Sequence, residues 1–162
     1  FPIEGVDFKC TASLCANPEG FMHTNNFFYS NLLKYCPVDK IIGLDARGFI
    51  FASVLAHRTK GPLILARKAG KLPGPIIQKE FNLEYGTATL EIQTTSIEQG
   101  DRVIIIDDLM ATGGTVQACI DIVHDLGGSI TAVACAIDLA SLGGSRRIKD
   151  QDIKFYSGAE YQ

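Results

Sequence analysis

The residues Asp101-Arg102-Val103-Ile104-Ile105-Ile106-Asp107-Asp108-Leu109-Met110-Ala111-Thr112-Gly113-Gly114-Thr115-Val116 run from a strand, through an acidic turn, into a helix. Val103 to Ile106 are four consecutive β-branched residues. A strand apolar at every position, not at alternate ones, predicts cover on both faces, as in a parallel sheet. Asp107 and Asp108 end the apolar run, so two carboxylates are expected at the strand's carboxyl end. Thr112, Gly113, Gly114 and Thr115 follow, and small residues there let backbone approach a ligand closely. Val116, Cys119, Ile120, Val123 and Leu126 then recur at helical spacing, which predicts one buried helix face, with Gly127-Gly128 as its stop.

The order of these parts implies a chemistry. The free N–H groups and positive dipole end of a helix suit a phosphate dianion, and the hydroxyls of Thr112 and Thr115 can donate to it. The two aspartates would repel that phosphate and suit neutral hydroxyls or a cation a few ångströms away. A sugar phosphate meets both demands, with its phosphate on the turn and its ribose diol on the acids. Neither common nucleotide fingerprint is present: there is no Gly-x-Gly-x-x-Gly, and no lysine follows the glycines.

Alternating elements extend outward from this centre. Lys40 to Leu44 is expected as a strand, Gly48 to Thr59 as an apolar-rich helix and Leu63 to Ala66 as the next strand. A loop rich in Gly and Pro runs from Gly70 to Pro75. Leu83 to Gln93 reads as extended structure, with Gly86 at a turn or bend. Ser129 to Leu139 reads as another apolar strand, and a short one is expected near Ile153 to Tyr156. Strand-helix-strand alternation at this spacing predicts right-handed crossovers in a mostly parallel, twisted sheet.

Three further clusters fit a sugar phosphate. Asp45 and Arg47 fall in the turn after the first strand, where such sheets place ligands. Arg67, Lys68 and Lys71 bring three cations within five positions, just before Pro73-Gly74-Pro75. Glu84-Tyr85-Gly86 sets an acid among apolar and aromatic neighbours, where a closing lid would make it a proton donor or acceptor.

Bulk properties narrow the class. At 162 residues the chain reads as one domain, long enough to bury roughly 70% of its unfolded surface. A net charge of −3 argues against nonspecific nucleic-acid binding, which needs a basic face. No apolar run approaches the roughly 18 residues of a membrane helix, and no targeting segment is read from Phe1 onward. The five cysteines are an odd number without a Cys-x-x-Cys pair. Cys119 and Cys135 read as small core residues, neither a disulfide framework nor a zinc site is expected, and a reducing cytoplasm is the expected setting.

Val103 to Thr115 resembles the phosphoribosyl-pyrophosphate (PRPP) motif of the type I phosphoribosyltransferases. Leu44-Asp45-Ala46-Arg47-Gly48-Phe49, Arg67 to Pro75, Leu83-Glu84-Tyr85-Gly86 and Phe1 to Phe8 narrow the resemblance to the adenine phosphoribosyltransferase family. The fold this implies is α/β, a twisted mostly parallel sheet flanked by helices, with a small N-terminal hood and a flexible catalytic loop. Within one domain over residues 1–162, residues 1–35 would form the hood and base-pocket segment and 36–162 the PRPP-binding core. The activity implied is transfer of the 5-phosphoribosyl group from PRPP to N9 of adenine, giving AMP and pyrophosphate. Magnesium would accompany PRPP, held mainly through the ligand's own oxygens, and the enzyme would be a homodimer.

The resemblance also implies roles. Asp107 and Asp108 would face the ribose hydroxyls, and Ala111, Thr112, Gly113, Gly114 and Thr115 would cradle the 5′-phosphate. Asp45, Ala46 and Arg47 would form the pyrophosphate-side loop, with Arg47 also reaching N7 of adenine. Arg67, Lys68 and Lys71 would neutralise pyrophosphate. Phe8 would stack on the base opposite Leu109, and the backbone of Asp7 and Lys9 would read its amine and N1. Glu84 would be the general acid/base and Tyr85 part of the lid. Lys9 and Cys10 depart from the family's arginine and acid, and Asp7 stands where an apolar residue is usual. Reading through the backbone would leave adenine specificity intact. Two alternatives share the PRPP turn: a 6-oxopurine phosphoribosyltransferase, and a non-catalytic PRPP-binding regulator. Glu84 and the Leu72-Pro73-Gly74-Pro75 loop point away from the first, and an acidic chain without a helix-turn-helix points away from the second.

Overall fold

The computed structural model describes residues 11–82 and 86–162. Its frame is a seven-stranded sheet in the order β3-β4-β2-β1-β5-β6-β7. The strands are β1 (Lys40–Leu44), β2 (Leu63–Lys68), β3 (Ile76–Asn82), β4 (Thr87–Gln93), β5 (Arg102–Met110), β6 (Ser129–Leu139) and β7 (Lys154–Tyr161). The helices are α1 (Thr11–Ala16), α2 (Pro18–Leu32), α3 (Gly48–Thr59), α4 (Gly114–Asp125) and α5 (Gly144–Lys149). From β2 to β7 the neighbours run parallel, whereas β3 and β4 form an antiparallel hairpin that joins β2.

The all-apolar run of β5 explains the two layers. Val103, Ile104, Ile105 and Ile106 are completely buried. Alternate residues of a strand take opposite faces. Val103 and Ile105 accordingly join a core with Val116, Cys119, Ile120 and Val123 of α4. Ile104 and Ile106 join another with Phe28 and Leu32 of α2 and Phe51 and Leu55 of α3. Cys119 and Cys135 are buried thiols, as their apolar positions predicted. Gly127 stops α4 with a positive φ of 87°, as the glycine pair predicted.

Several boundaries differ from expectation. β5 runs on through Asp107 and Asp108 to Met110, because the long β6 keeps pairing with it: Asp107 is in register with Cys135 and Met110 with Asp138. β2 includes Arg67 and Lys68, which pair with Glu91 and Leu90. β3 is a full strand where only a loop and later extended structure were expected. β7 continues to Tyr161 beside β6. Residues 11–16 and 18–32 are helical, with α2 started by the extended Asn17, whose side chain accepts the Gly20 N–H at 2.9 Å, and by Pro18 in its first turn.

Phe51 fixes α3 to α2. It is fully buried, edge-on to Phe28 at 5.8 Å and tilted against Phe21 at 5.7 Å. Phe51→Ala should therefore cost about 3–5 kcal/mol. Urea unfolding would show this as a lower midpoint at an unchanged m-value, and an unchanged midpoint would mean that the α2–α3 contact contributes nothing.

Candidate active site

Ligands of open parallel sheets sit outside the carboxyl ends of the strands. A cavity of about 410 Å³ opens there, lined by Asp45, Ala46 and Arg47 after β1, Lys68 of β2, Asp107 to Met110 of β5 and Ala111 to Thr115 leading into α4. The hairpin closes one side with Phe81, Ala88 and Leu90.

The adjacent acids have different surroundings. Asp108 is 5% exposed, and its Oδ2 accepts the Thr11 hydroxyl at 2.7 Å and pairs with Arg47 Nε at 2.7 Å. The Asp108 N–H donates to Asp107 Oδ1 at 2.8 Å. Burial, and after it the charge of Asp108, push the Asp107 carboxyl well above the usual carboxylate range. Gly48 lets α3 begin against this strand. A Cβ there would stand 2.8 Å from the Ile106 carbonyl oxygen and 3.0 Å from Asp107 Oδ1.

Asp45 organises the cations of β2. Its Oδ2 lies 3.2 Å from Arg67 Nε, 3.4 Å from the Lys68 N–H and 3.6 Å from Lys71 Nζ. Burial works against its charge, yet the Lys68 N–H and the Arg67 and Lys71 cations together hold the carboxyl below its ordinary value. The peptide bond from Asp45 to Ala46 is cis.

The turn before α4 is built for an anion. Gly113 caps the helix at φ 79° and brings no side chain to its first-turn N–H groups. These orphan donors and the dipole point at the cavity wall formed by Thr112, Gly114 and Thr115. From behind, the Gly144 N–H donates to the Ala111 carbonyl at 3.0 Å. A Cβ at Gly144 would collide with that carbonyl and meet the Gly113 nitrogen at 2.8 Å.

Of the residues singled out in the sequence, Asp45, Ala46, Arg47, Lys68, Asp107, Asp108, Leu109 and Ala111 to Thr115 share one cavity wall. Arg67 and Lys71 stand behind it on Asp45. Asp7, Phe8, Lys9, Glu84 and Tyr85 lie outside the described residues. Sequence reasoning missed Thr11, Phe81, Glu91 and Gly144. Only Gly144 carried a local signal, the Gly143-Gly144 pair. Glu91 is fully buried and accepts the N–H groups of Gly70, Lys71 and Leu72 at 3.0, 2.7 and 2.7 Å.

Comparison with known proteins agrees with this geometry. A family model described as a phosphoribosyl transferase domain matches residues 13–160. The adenine phosphoribosyltransferase of Actinobacillus succinogenes is 42% identical over 161 residues, covering 99% of this chain and 89% of the relative. The crystal structure of adenine phosphoribosyltransferase from Rhodothermus marinus superposes with a TM-score of 0.89 at 34% identity, covering 99% of this chain and 90% of the other. The enzyme from Giardia lamblia complexed with 9-deazaadenine gives 0.92 at 27% identity, covering 100% and 91%.

The Asp45 cluster has a signed pH dependence. A carboxyl held below its unfolded value, near 3.9, contributes stability that is complete above that value and is lost as pH falls through the folded one. Asp45→Asn should thus be less stable than the parent at pH 7, with the gap narrowing on acidification below about pH 4. Urea midpoints of both proteins at pH 7 and pH 3 test this, and a gap that widens in acid would contradict it.

Proposed function

The chain belongs to the adenine phosphoribosyltransferase family, whose members make AMP and pyrophosphate from adenine and PRPP in purine salvage, and we propose how its own residues divide that work. The observation that supports the division is a single cavity lined by both the Asp45–Arg47 turn and the Asp107–Thr115 turn.

The 5′-phosphate lies on Ala111 to Thr115, where the uncapped start of α4 supplies donors and Gly144 braces the turn from behind. The ribose hydroxyls donate to Asp107 and Asp108. Arg47 meets Asp108 through Nε, leaving its terminal nitrogens for pyrophosphate and for N7 of adenine. Asp45 and Ala46 complete the pyrophosphate-side loop. Arg67, Lys68 and Lys71 neutralise the pyrophosphate, with Asp45 holding the Arg67 and Lys71 side chains in place for it. The base stacks between Phe8 and Leu109 and is read by the backbone of Asp7 and Lys9; this assignment and those of Glu84 and Tyr85 rest on the resemblance.

In the reaction the bond from ribose C1 to a pyrophosphate oxygen breaks, and its electron pair leaves with pyrophosphate. A bond forms from N9 of adenine to C1, and the N9 proton passes to Glu84. Positive charge on the ribose ring is stabilised by the two aspartates, and negative charge on the departing group by the cations. Closure over Tyr85 keeps water from the reactive carbon.

Magnesium fits as a companion of PRPP. The cavity offers Asp107 and an Asp108 already engaged by Arg47 and Thr11, a donor set that suits an ion keeping most of its oxygens from ligand and water. Bound with PRPP, it supplies further charge neutralisation for the leaving group.

The whole of residues 1–162 acts as one domain, a reading supported by Phe28 and Leu32, which tie α2 into the core of α3 and the sheet. A homodimer is supported by apolar Ile50 of α3 and Leu63 and Leu65 of β2, which remain exposed. A cytoplasmic setting is supported by Cys36, Cys119 and Cys135, which stand as thiols. Among the described residues no helix is long and apolar enough to cross a membrane.

Product formation from PRPP and magnesium, with adenine, hypoxanthine, guanine and xanthine offered separately, tests the base assignment. AMP from adenine alone is expected; nucleotide from a 6-oxopurine would overturn the pocket, and PRPP binding without turnover would indicate a regulator. Glu84→Gln should lower kcat by about 10²–10⁴-fold with little change in PRPP affinity. Undiminished turnover in that variant would remove Glu84 from the chemistry.

A further inference from the structure

We propose that Glu91 is a positioning residue for pyrophosphate: its buried carboxylate moulds the Gly70–Leu72 backbone so that the cations of β2 and the following loop face the ligand. The inference rests on the pyrophosphate role given above to Arg67, Lys68 and Lys71.

Glu91 lies on β4 among the buried apolar residues Leu90 and Ile92, and is 0% exposed. Stability alone would be served there by another apolar side chain, since withdrawing a charge from water opposes folding. The carboxylate is instead saturated by three successive backbone donors. Oε1 accepts the N–H groups of Lys71 and Leu72, each at 2.7 Å, and Oε2 accepts that of Gly70 at 3.0 Å. Successive N–H groups converging on one point form an anion-binding nest. Here the chain fills the nest with its own anion. Burial disfavours the charged form, but these donors and the nearby Arg67 hold Glu91 below its ordinary value.

The geometric effect falls on the cations. Glu91 is in direct register with Arg67, so one residue pair sets both the strand end and the loop that leaves it. With its N–H turned inward to Glu91, Lys71 carries its ammonium outward, to within 3.6 Å of Asp45 Oδ2. Arg67 reaches the same oxygen. The loop's glycines leave its own backbone loosely constrained, since Gly70 and Gly74 both adopt positive φ and a Cβ at either would meet nothing within 4 Å. Further anchors of the loop also come from β4: the Ala69 N–H donates to the Thr89 carbonyl at 3.1 Å and the Gln93 amide to the Pro73 carbonyl at 2.9 Å, so Glu91 is the anchor that acts on Gly70 to Leu72 themselves. Glu91 thereby acts through Lys71 and Arg67 and touches no ligand itself.

Steady-state kinetics of Glu91→Gln, Lys71→Ala and the double variant decide the matter. Gln keeps the size but replaces one acceptor oxygen with a donor, which opposes an N–H of the loop. Displacements of about 1 Å can cost on the order of 10²-fold. We expect KM for PRPP to rise about 10–100-fold in Glu91→Gln while KM for adenine stays within about twofold. In the Lys71→Ala background the same change should add much less, because the two act in series. Where Glu91→Gln does not fold, Glu91→Asp keeps the charge but draws it back by one methylene, and a smaller rise in the same direction is expected. A folded Glu91 variant with unchanged PRPP KM, with equal rises for both substrates, or with a full additional effect on Lys71→Ala overturns the proposal. If Lys71→Ala itself leaves PRPP KM unchanged, the pyrophosphate reading of the loop fails. If only the Glu91 variants do so, that reading stands and the Glu91 inference alone falls.

Discussion

Negative charge withdrawn from water at one end of the sheet is the constraint on which this structure depends. Asp45, Glu91 and Asp108 all place carboxylates where water scarcely reaches, and Asp107 stands beside them. Such groups are tolerated only when neighbours replace the lost hydration. The replacements are specific: three amides for Glu91, a guanidinium, an ammonium and an amide for Asp45, a guanidinium and a hydroxyl for Asp108. Of these groups, Asp45, Asp107 and Asp108 line the cavity together with Arg47 and Lys68, whereas Glu91 stays behind its wall.

Strand order explains why these groups meet. β1 has β2 on one side and β5 on the other, so the chain reverses direction across the sheet at β1 and opens a crevice there. Within the turn after β1, Asp45 reaches sideways to Arg67 of β2, and Arg47 reaches the opposite way to Asp108 of β5. Two residues of one turn thus join the cation-bearing strand to the acid-bearing one. An α4 start without a side-chain cap completes the third wall.

What was legible in the sequence was what local pattern controls. The uninterrupted Val103–Ile106 run predicted a strand covered twice, and the bounds of β1, α3 and β6 follow from apolar runs between turn residues. The polar wall of the cavity was found because Asp45 to Arg47, Lys68 and Asp107 to Thr115 fall in three short stretches at strand ends, whereas Phe81, Ala88 and Leu90 of the hairpin gave no such signal. β3 was missed because Gln78, Lys79 and Glu80 break its apolar pattern, and its ladder is supplied by β4. The α2 helix was hidden by polar Asn25 and Asn26 among its phenylalanines, although Phe28 and Leu32 are core. Thr11 reaches Asp108 across 97 positions, and Glu91 is buried by a loop about twenty residues upstream. Nothing in their own neighbourhoods records those partners.

The hairpin has a further consequence. β3 and β4 share seven register pairs, but the hairpin joins the rest of the sheet through only two, Arg67 with Glu91 and Lys68 with Leu90. Local opening of a protein follows such weak seams. Here the seam lies along the cations themselves, so parting it detaches Glu91 from the strand whose loop it shapes. Hairpin and loop are therefore mechanically joined: loosening the first would also release the Gly70–Leu72 backbone that Glu91 holds.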